Sequence, residues 1–238
     1  MKPEIIVALD VPNAAAVPLL LQKLPSDLTW FKIGLELFAA EGPDIVRLLA
    51  GQGKRIFLDL KFHDIPRTVA NAVTSAGKLG VSLMTVHAIG GRTMLQAAAE
   101  AAQALGPNRP RLVAVTTLTS LNQDDFGDLG IQRTVSEQAL ALTQLALDCK
   151  IDGVVTSVHE TVALRRKFGS TPLLVTPGIR PAGADVGDQK RVATPALAVE
   201  SGASYLVIGR PIVEAADPLA ATRAIQAEID QAFARRAP

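Results

Sequence analysis

In Ile5-Ile6-Val7-Ala8-Leu9-Asp10-Val11-Pro12 an apolar run stops at an aspartate, and a proline follows two residues on. An apolar run without alternation reads as a parallel strand covered on both faces. A doubly wound open sheet would more often place a glycine-rich phosphate turn after its first strand, and Leu9-Asp10-Val11-Pro12 is no such turn. The choice between the two architectures then rests on how often this unit recurs.

It recurs seven more times. After Ile5–Asp10 (IIVALD) come Thr29–Gly34 (TWFKIG), Arg55–Lys61 (RIFLDLK), Leu83–Ala88 (LMTVHA) and Leu112–Leu118 (LVAVTTL). Gly153–Ser157 (GVVTS), Leu173–Ile179 (LLVTPGI) and Tyr205–Arg210 (YLVIGR) complete the set. Between them run helical patterns rich in Ala, Leu, Gln and Glu, such as Arg92–Leu105 and Thr134–Leu147. In the second, Val135, Leu140, Leu142 and Leu145 form part of an apolar stripe that Leu147 continues. Asp10-Val11-Pro12-Asn13 and Asp64-Ile65-Pro66 place a cap or a proline at helix starts. Eight strands, each followed by a helical stretch, in 238 residues predict a (β/α)8 TIM barrel, an α/β fold of ~250 residues. No linker, charge block or low-complexity segment divides the chain, so residues 1–238 are expected to form a single domain.

Composition narrows the function classes. Lys and Arg number 24 against 23 Asp and Glu, a formal net charge of +1, which argues against nucleic acid as the main partner. Hydrophobic residues make up 48% but aromatics 4%, so the core must be aliphatic. The lone Cys149 excludes an internal disulfide and suits a reducing cytosol. No apolar run approaches the ~20 residues of a membrane span, and the expectation is a soluble, cytoplasmic protein.

A barrel keeps its chemistry at the C-terminal ends of its strands. Those ends hold Asp10, Lys32, Asp59 with Lys61, His87, Thr117 to Ser120, Ser157, Gly178 with Arg180, and Gly209 with Arg210. Asp59 and Lys61 stand two apart, which on a strand points both to one side, and Asp64 follows just past the run. At ~4 Å and an effective dielectric of ~20, one opposite-charge contact is worth about 4 kcal/mol. An alternating lysine and aspartate array can therefore stay ionised in a dry site and present fixed charges to a substrate. Ordinary salt bridges sealing the barrel mouth are the plainer reading, weakened because Lys32 and Asp10 arrive from separate strands.

Thr176-Pro177-Gly178-Ile179-Arg180-Pro181 and Ile208-Gly209-Arg210-Pro211 close the last two units, where barrels often bind phosphate. Glycine lets the backbone approach an anion, and arginine adds a forked, charge-assisted contact. The polar stretch Arg180–Arg191 reads as a lid with Gln189 reaching the anion, and Asn122–Ile131 as a second cover or a surface loop. His63 can touch substrate, support the site or face solvent, His87 reads as a hydrogen-bonded neighbour of it, and His159 as a helix cap or solvent-facing residue. Without a His/Cys cluster there is no case for zinc. Trp30 and Tyr205 read as packing residues.

Asp59-Leu60-Lys61-Phe62-His63-Asp64-Ile65-Pro66-Arg67-Thr68 has the form D-x-K-x-x-D-I-P-x-T. It resembles the signature of the orotidine 5′-phosphate decarboxylase family, and the similarity extends to Ala-Leu-Asp10, Phe-Lys32-Ile-Gly, Leu-Thr119-Ser120, Thr-Pro-Gly-Ile-Arg180 and Ile-Gly209-Arg210. The resemblance implies a cofactor-free, metal-free (β/α)8 homodimer that converts orotidine 5′-monophosphate (OMP) to UMP in pyrimidine biosynthesis. It implies a charged tetrad of Lys32, Asp59, Lys61 and Asp64, with Asp64 and Thr68 donated by the partner subunit. Asp10 and Lys32 would hold the ribose, and Thr119 or Ser120 the pyrimidine. Arg180, Gln189, Gly209 and Arg210 would hold the phosphate. Related sugar-phosphate decarboxylases and aldolases share D-x-K-x-x-D but use Mg²⁺. Here Lys32 is a poor neighbour for that ion, and Ile65-Pro66-x-Thr68 favours the orotidylate branch. A non-catalytic nucleotide binder would have no use for the complete charged set.

Overall fold

The strands alternate their side chains between two apolar environments. In β1 (Glu4–Ala8), Ile5 and Val7 face the surrounding helices while Ile6 and Ala8 face inward. Both sets are buried, which explains why the sequence runs apolar without a polar beat. A computed structural model, describing residues 2–182 and 192–236, arranges β1, β2 (Trp30–Ile33), β3 (Arg55–Phe62), β4 (Leu83–His87), β5 (Arg111–Val115), β6 (Gly153–Val155), β7 (Leu173–Thr176) and β8 (Tyr205–Ile208) as a closed parallel barrel. Closure comes from β8 pairing with β1, Glu4 opposite Tyr205 and Val7 opposite Ile208.

The (β/α)8 expectation is therefore met, with strands shorter than the apolar runs suggested. The runs at Leu112–Leu118, Leu173–Ile179 and Tyr205–Arg210 end as strands at Val115, Thr176 and Ile208. Their last residues turn out into the barrel mouth, where they line the site.

Inward-facing Ile6, Ala8, Trp30, Phe57, Leu83, Val113, Val175, Tyr205 and Val207 fill the barrel interior. Trp30 and Tyr205 pack edge to face, 5.1 Å between centroids, as the packing reading expected. Arg111 donates a 2.9 Å hydrogen bond to the Tyr205 hydroxyl, and Arg55 lies 5.5 Å over the Trp30 ring, at the N-terminal end. Each fully buried aliphatic side chain contributes roughly 1.5–3 kcal/mol. This dry plug gives the opposite mouth a rigid floor.

The helices carry small residues against the barrel. Gly91–Gln103 buries Met94, Leu95, Ala98, Ala99 and Ala102. Val135–Asp148 buries Ala139, Leu142, Thr143 and Ala146, which adds small residues to the expected stripe. Leu142 is shared, but Leu140 and Leu145 flank the contact as partly buried side chains. Small side chains let helix and sheet approach closely, and the larger leucines cover the edges.

Several starts follow the local chemistry. Pro66 is the first residue of Pro66–Gly77, Thr134 caps Val135–Asp148, and Ser157 caps Val158–Phe168 with Glu160 completing the box. Asn13 accepts the Ala16 N–H at 3.1 Å at the first helix, Ala16–Leu21. Among the described residues no helix is long and apolar enough to cross a membrane.

Candidate active site

Each strand's inward parity passes from plug to rim. Ile6 and Ala8 lead to Asp10, Trp30 to Lys32, Phe57 to Asp59 and Lys61, Val113 and Val115 to Thr117, and Val207 to Gly209. Period-two alternation thus carries the functional side chains into one cavity of about 530 Å³. Lys32, Lys61, Arg180 and Arg210 line it together with Asp10, Asp59 and Glu214.

The charges alternate in space. Lys32 Nζ donates to Asp10 Oδ1 at 3.0 Å and stands 3.9 Å from Asp59 Oδ2. Lys61 Nζ donates to Asp59 Oδ1 at 3.0 Å. The order Asp10, Lys32, Asp59, Lys61 leaves no like charges adjacent. Asp59 and Lys32 are well shielded, at 15% and 12% side-chain exposure, while Asp10 at 52% meets solvent. The Lys32 to Asp59 contact therefore lies in the less screened part of the array.

Lys61 reaches its place by an unusual backbone. Its φ is +53°, in the left-handed region, and the β3 to β4 register shifts between Leu58 and Phe62. Such a conformation costs a non-glycine residue on the order of 1–3 kcal/mol. Side chains still alternate across it, since Leu60 and Phe62 pack outward on the helix-side core. The expected outcome for Asp-x-Lys holds, but through a bulge that simple strand geometry does not contain.

Three further residues shape the array. The Thr85 hydroxyl on β4 accepts the Lys61 backbone N–H at 2.8 Å and donates to Asp59 Oδ1 at 3.1 Å. Gly34, just past β2, lies so close that a Cβ there would stand 2.7 Å from Lys32 Nζ. At Gly209 a Cβ would stand 3.3 Å from Asp10 Oδ2. Thr85 was legible as a lone hydroxyl at an inward position of an apolar run, and Glu214 as four residues beyond Arg210. Neither signal was specific enough to stand out.

The structure brings Asp10, Lys32, Asp59, Lys61, Thr119, Ser120, Gly178, Arg180, Gly209 and Arg210 to one cavity. Thr119 and Ser120 both line it, so both candidates for the base contact stay in place. Arg180 is 9% exposed, and its Nη1 donates to the Ile179 carbonyl at 2.9 Å. Ile179 also bridges Ala193, tying together the two ends of the segment read as a lid. Gln189 and the lid's centre lie outside the described residues.

Asp64 and Thr68 do not line the cavity. Both are exposed, and Asp64 Oδ1 accepts the Ile65 N–H at 2.6 Å. The Asn122–Ile131 stretch contains a capped helix, Gln123–Asp128, anchored by buried Phe126, and none of it lines the cavity. His159 is exposed and Ser157, not the histidine side chain, caps its helix.

His87 differs from expectation. Its ring lies 5.4 Å from that of His63, outside the cavity lining, and its buried Nδ1 has no hydrogen-bond partner among the described residues. Burial, then the nearby His63 and Lys61, lower its pKa to about 4, so it is neutral at pH 7. Among the described residues no three His, Cys, Asp or Glu side chains gather as a metal-holding group.

Comparison with known proteins joins this geometry to a family. The model of the orotidine 5′-phosphate decarboxylase / HUMPS family matches residues 3–225. The chain belongs to that family. It is 52% identical over 234 residues to the orotidine 5′-phosphate decarboxylase of Moorella thermoacetica, covering 96% of this chain and 93% of that protein. The Idiomarina loihiensis orotidine 5′-phosphate decarboxylase is 48% identical over 229 residues, with 96% and 99% covered. The crystal structure of the Lactobacillus acidophilus orotidine 5′-phosphate decarboxylase superposes with a TM-score of 0.86 at 40% identity, covering 97% of this chain and all of that one.

Proposed function

We propose that this chain decarboxylates OMP to UMP in pyrimidine biosynthesis, with Lys61 stabilising charge at C6 of the pyrimidine and protonating it. Family membership across nearly the whole chain supports the reaction. The observation that carries the mechanism is the alternating Asp10, Lys32, Asp59, Lys61 array lining one cavity with Arg180 and Arg210.

The bond between C6 and the carboxylate breaks and its electron pair stays on C6, in the ring plane, where the π system gives it little relief. A fixed ammonium beside C6 lowers the energy of that charge, and the Lys61 proton then closes the C–H bond. Asp59 faces the substrate carboxylate, and their repulsion is relieved as neutral CO2 departs. Lys32, 3.9 Å from Asp59, helps to orient that carboxylate while reaching the ribose together with Asp10. Arg180, Gln189, Gly209 and Arg210 hold the phosphate, whose binding energy draws the site closed around the reacting ring.

A second copy of the chain completes the site in this reading, supplying Asp64 and Thr68. Support comes from the exposure of both residues and from the apolar side chains beside them on the same rim. Ile65 is 65% exposed, Leu35 59% and Ile89 54%, each just beyond the end of a neighbouring strand. A large apolar residue repeated at this exposure on one rim suits an interface.

The test is turnover. Purified protein treated with EDTA is mixed with OMP, and the loss of the orotidylate absorbance band is followed while UMP is quantified. Steady conversion supports the reading. Activity that EDTA abolishes and Mg²⁺ restores would transfer the chain to the metal-dependent relatives.

A further inference from the structure

We propose that Thr85 is a positioning residue that sets the catalytic geometry of Asp59 and Lys61, an inference that rests on the decarboxylase reading above. Thr85 is fully buried on β4, at the inward position next to the bulge in β3, and does not itself line the cavity. Its neighbours Leu83 and Val86 are apolar and buried. A hydroxyl in that setting needs partners, and the ones it has are the two charged residues of the bulge.

The hydroxyl works in both directions. It accepts the Lys61 backbone N–H at 2.8 Å, holding the residue in its left-handed conformation where the β3 to β4 ladder loses register. Its own proton goes to Asp59 Oδ1 at 3.1 Å, the same oxygen that accepts Lys61 Nζ at 3.0 Å. A hydroxyl has one proton to give, and here it is directed at a carboxylate. Lys61 backbone, Thr85 hydroxyl, Asp59 carboxylate and Lys61 ammonium thus form a closed ring of contacts. Without Thr85, Asp59 Oδ1 would keep one donor instead of two. Its carboxylate would be free to turn toward Lys32, 3.9 Å from the other oxygen. The ammonium would follow, and a displacement of an ångström at the reacting atom costs rate rather than affinity.

The variants are Thr85→Val, which keeps the shape and removes both hydrogen bonds, and Thr85→Ser, which keeps the hydroxyl. Expected for Thr85→Val is a 10- to 100-fold lower kcat with the UMP Kd within about threefold of wild type. Thr85→Ser should stay within about fivefold of wild type in kcat. If valine does not fold, Thr85→Ala against Thr85→Ser makes the same comparison. Serine losing as much as valine or alanine would overturn the proposal, as would a hydroxyl-free variant within threefold of an active wild type. So would UMP affinity falling in step with kcat. A denaturant double-mutant cycle of Thr85→Val with Asp59→Asn reads the contact without turnover, and additive effects would also overturn it. An inactive wild type would count against the decarboxylase reading itself, whereas these comparisons count against Thr85.

Discussion

Lys61→Ala separates charge stabilisation at C6 from substrate binding more cleanly than any other change at this site. Lys61 Nζ holds Asp59 Oδ1 at 3.0 Å, and a carbanion at C6 at a similar distance would gain ~5.5 kcal/mol at an effective dielectric of 20. That is about 10⁴ in rate, at 1.36 kcal/mol per decade. Loss of the proton donor removes an overlapping 10² to 10⁴, so kcat should fall by at least about 10⁴. UMP carries no charge at C6, and in the proposed reading its phosphate and ribose supply the binding, so its Kd should change by less than about tenfold. The fold should survive. Alanine meets the same left-handed backbone as lysine, and Asp59 keeps Thr85 and Lys32 as partners. Stopped assays of OMP turnover at high enzyme concentration, paired with calorimetric titration of UMP, give both quantities. Equal losses in kcat and UMP affinity would refute the assignment, because they would make Lys61 a binding residue.

Other expectations follow from the same geometry. Arg180→Gln and Arg210→Gln should each lower kcat/KM for OMP by about 10- to 100-fold, the worth of a charge-assisted contact, and leave uridine binding unchanged in equilibrium titration. Coexpressing Lys61→Ala with Asp64→Ala subunits should restore about a quarter of wild-type activity, since in the proposed shared-site dimer half of random pairings are hybrids and each has one intact site. Either homodimer alone should be nearly inactive, and absence of recovery in verified hybrids would contradict a shared site. The lowered pKa of His87, about 4 against an ordinary 6.5, means the unfolded chain binds the extra proton between those values. This contribution to stability is intact above pH 6.5 and lost as pH falls toward 4. Denaturation midpoints should drop over that window, and His87→Gln should flatten the drop.

Much of this was written locally. The eight apolar runs are continuous because each strand is buried on both faces, and a closed ring of such strands follows from their number. Asp10, Lys32 and Asp59 were legible because they fall in the C-terminal halves of those runs, at inward positions where a charge has no reason to be unless the cavity needs it. Strand ends were less legible, since residues such as Val207 and Ile208 look alike whether they close the plug or begin the rim. In Val135–Asp148 the leucines Leu140, Leu142 and Leu145 carried a legible part of the core-facing stripe, whereas Ala139, Thr143 and Ala146, selected by close packing on the barrel, are too small to mark it by hydrophobicity.

The bulge at Lys61 had no sequence signature, because a left-handed lysine is stabilised by a residue on another strand, Thr85. His87 was expected to be hydrogen-bonded, but its ring sits against His63 instead. Asp64 and Thr68 show why one chain's sequence and one chain's structure give different views. The resemblance implies a place for them in the site, whereas in the single subunit both face solvent.

The most direct measurement is a crystal structure with UMP bound. The account predicts C6 of the uracil within ~3.0–3.5 Å of Lys61 Nζ, the phosphate on Arg180 and Arg210, and Asp59 on the face the carboxylate would occupy. A nucleotide bound with C6 turned away from Lys61, or with its phosphate against Lys32 and Lys61, would contradict it.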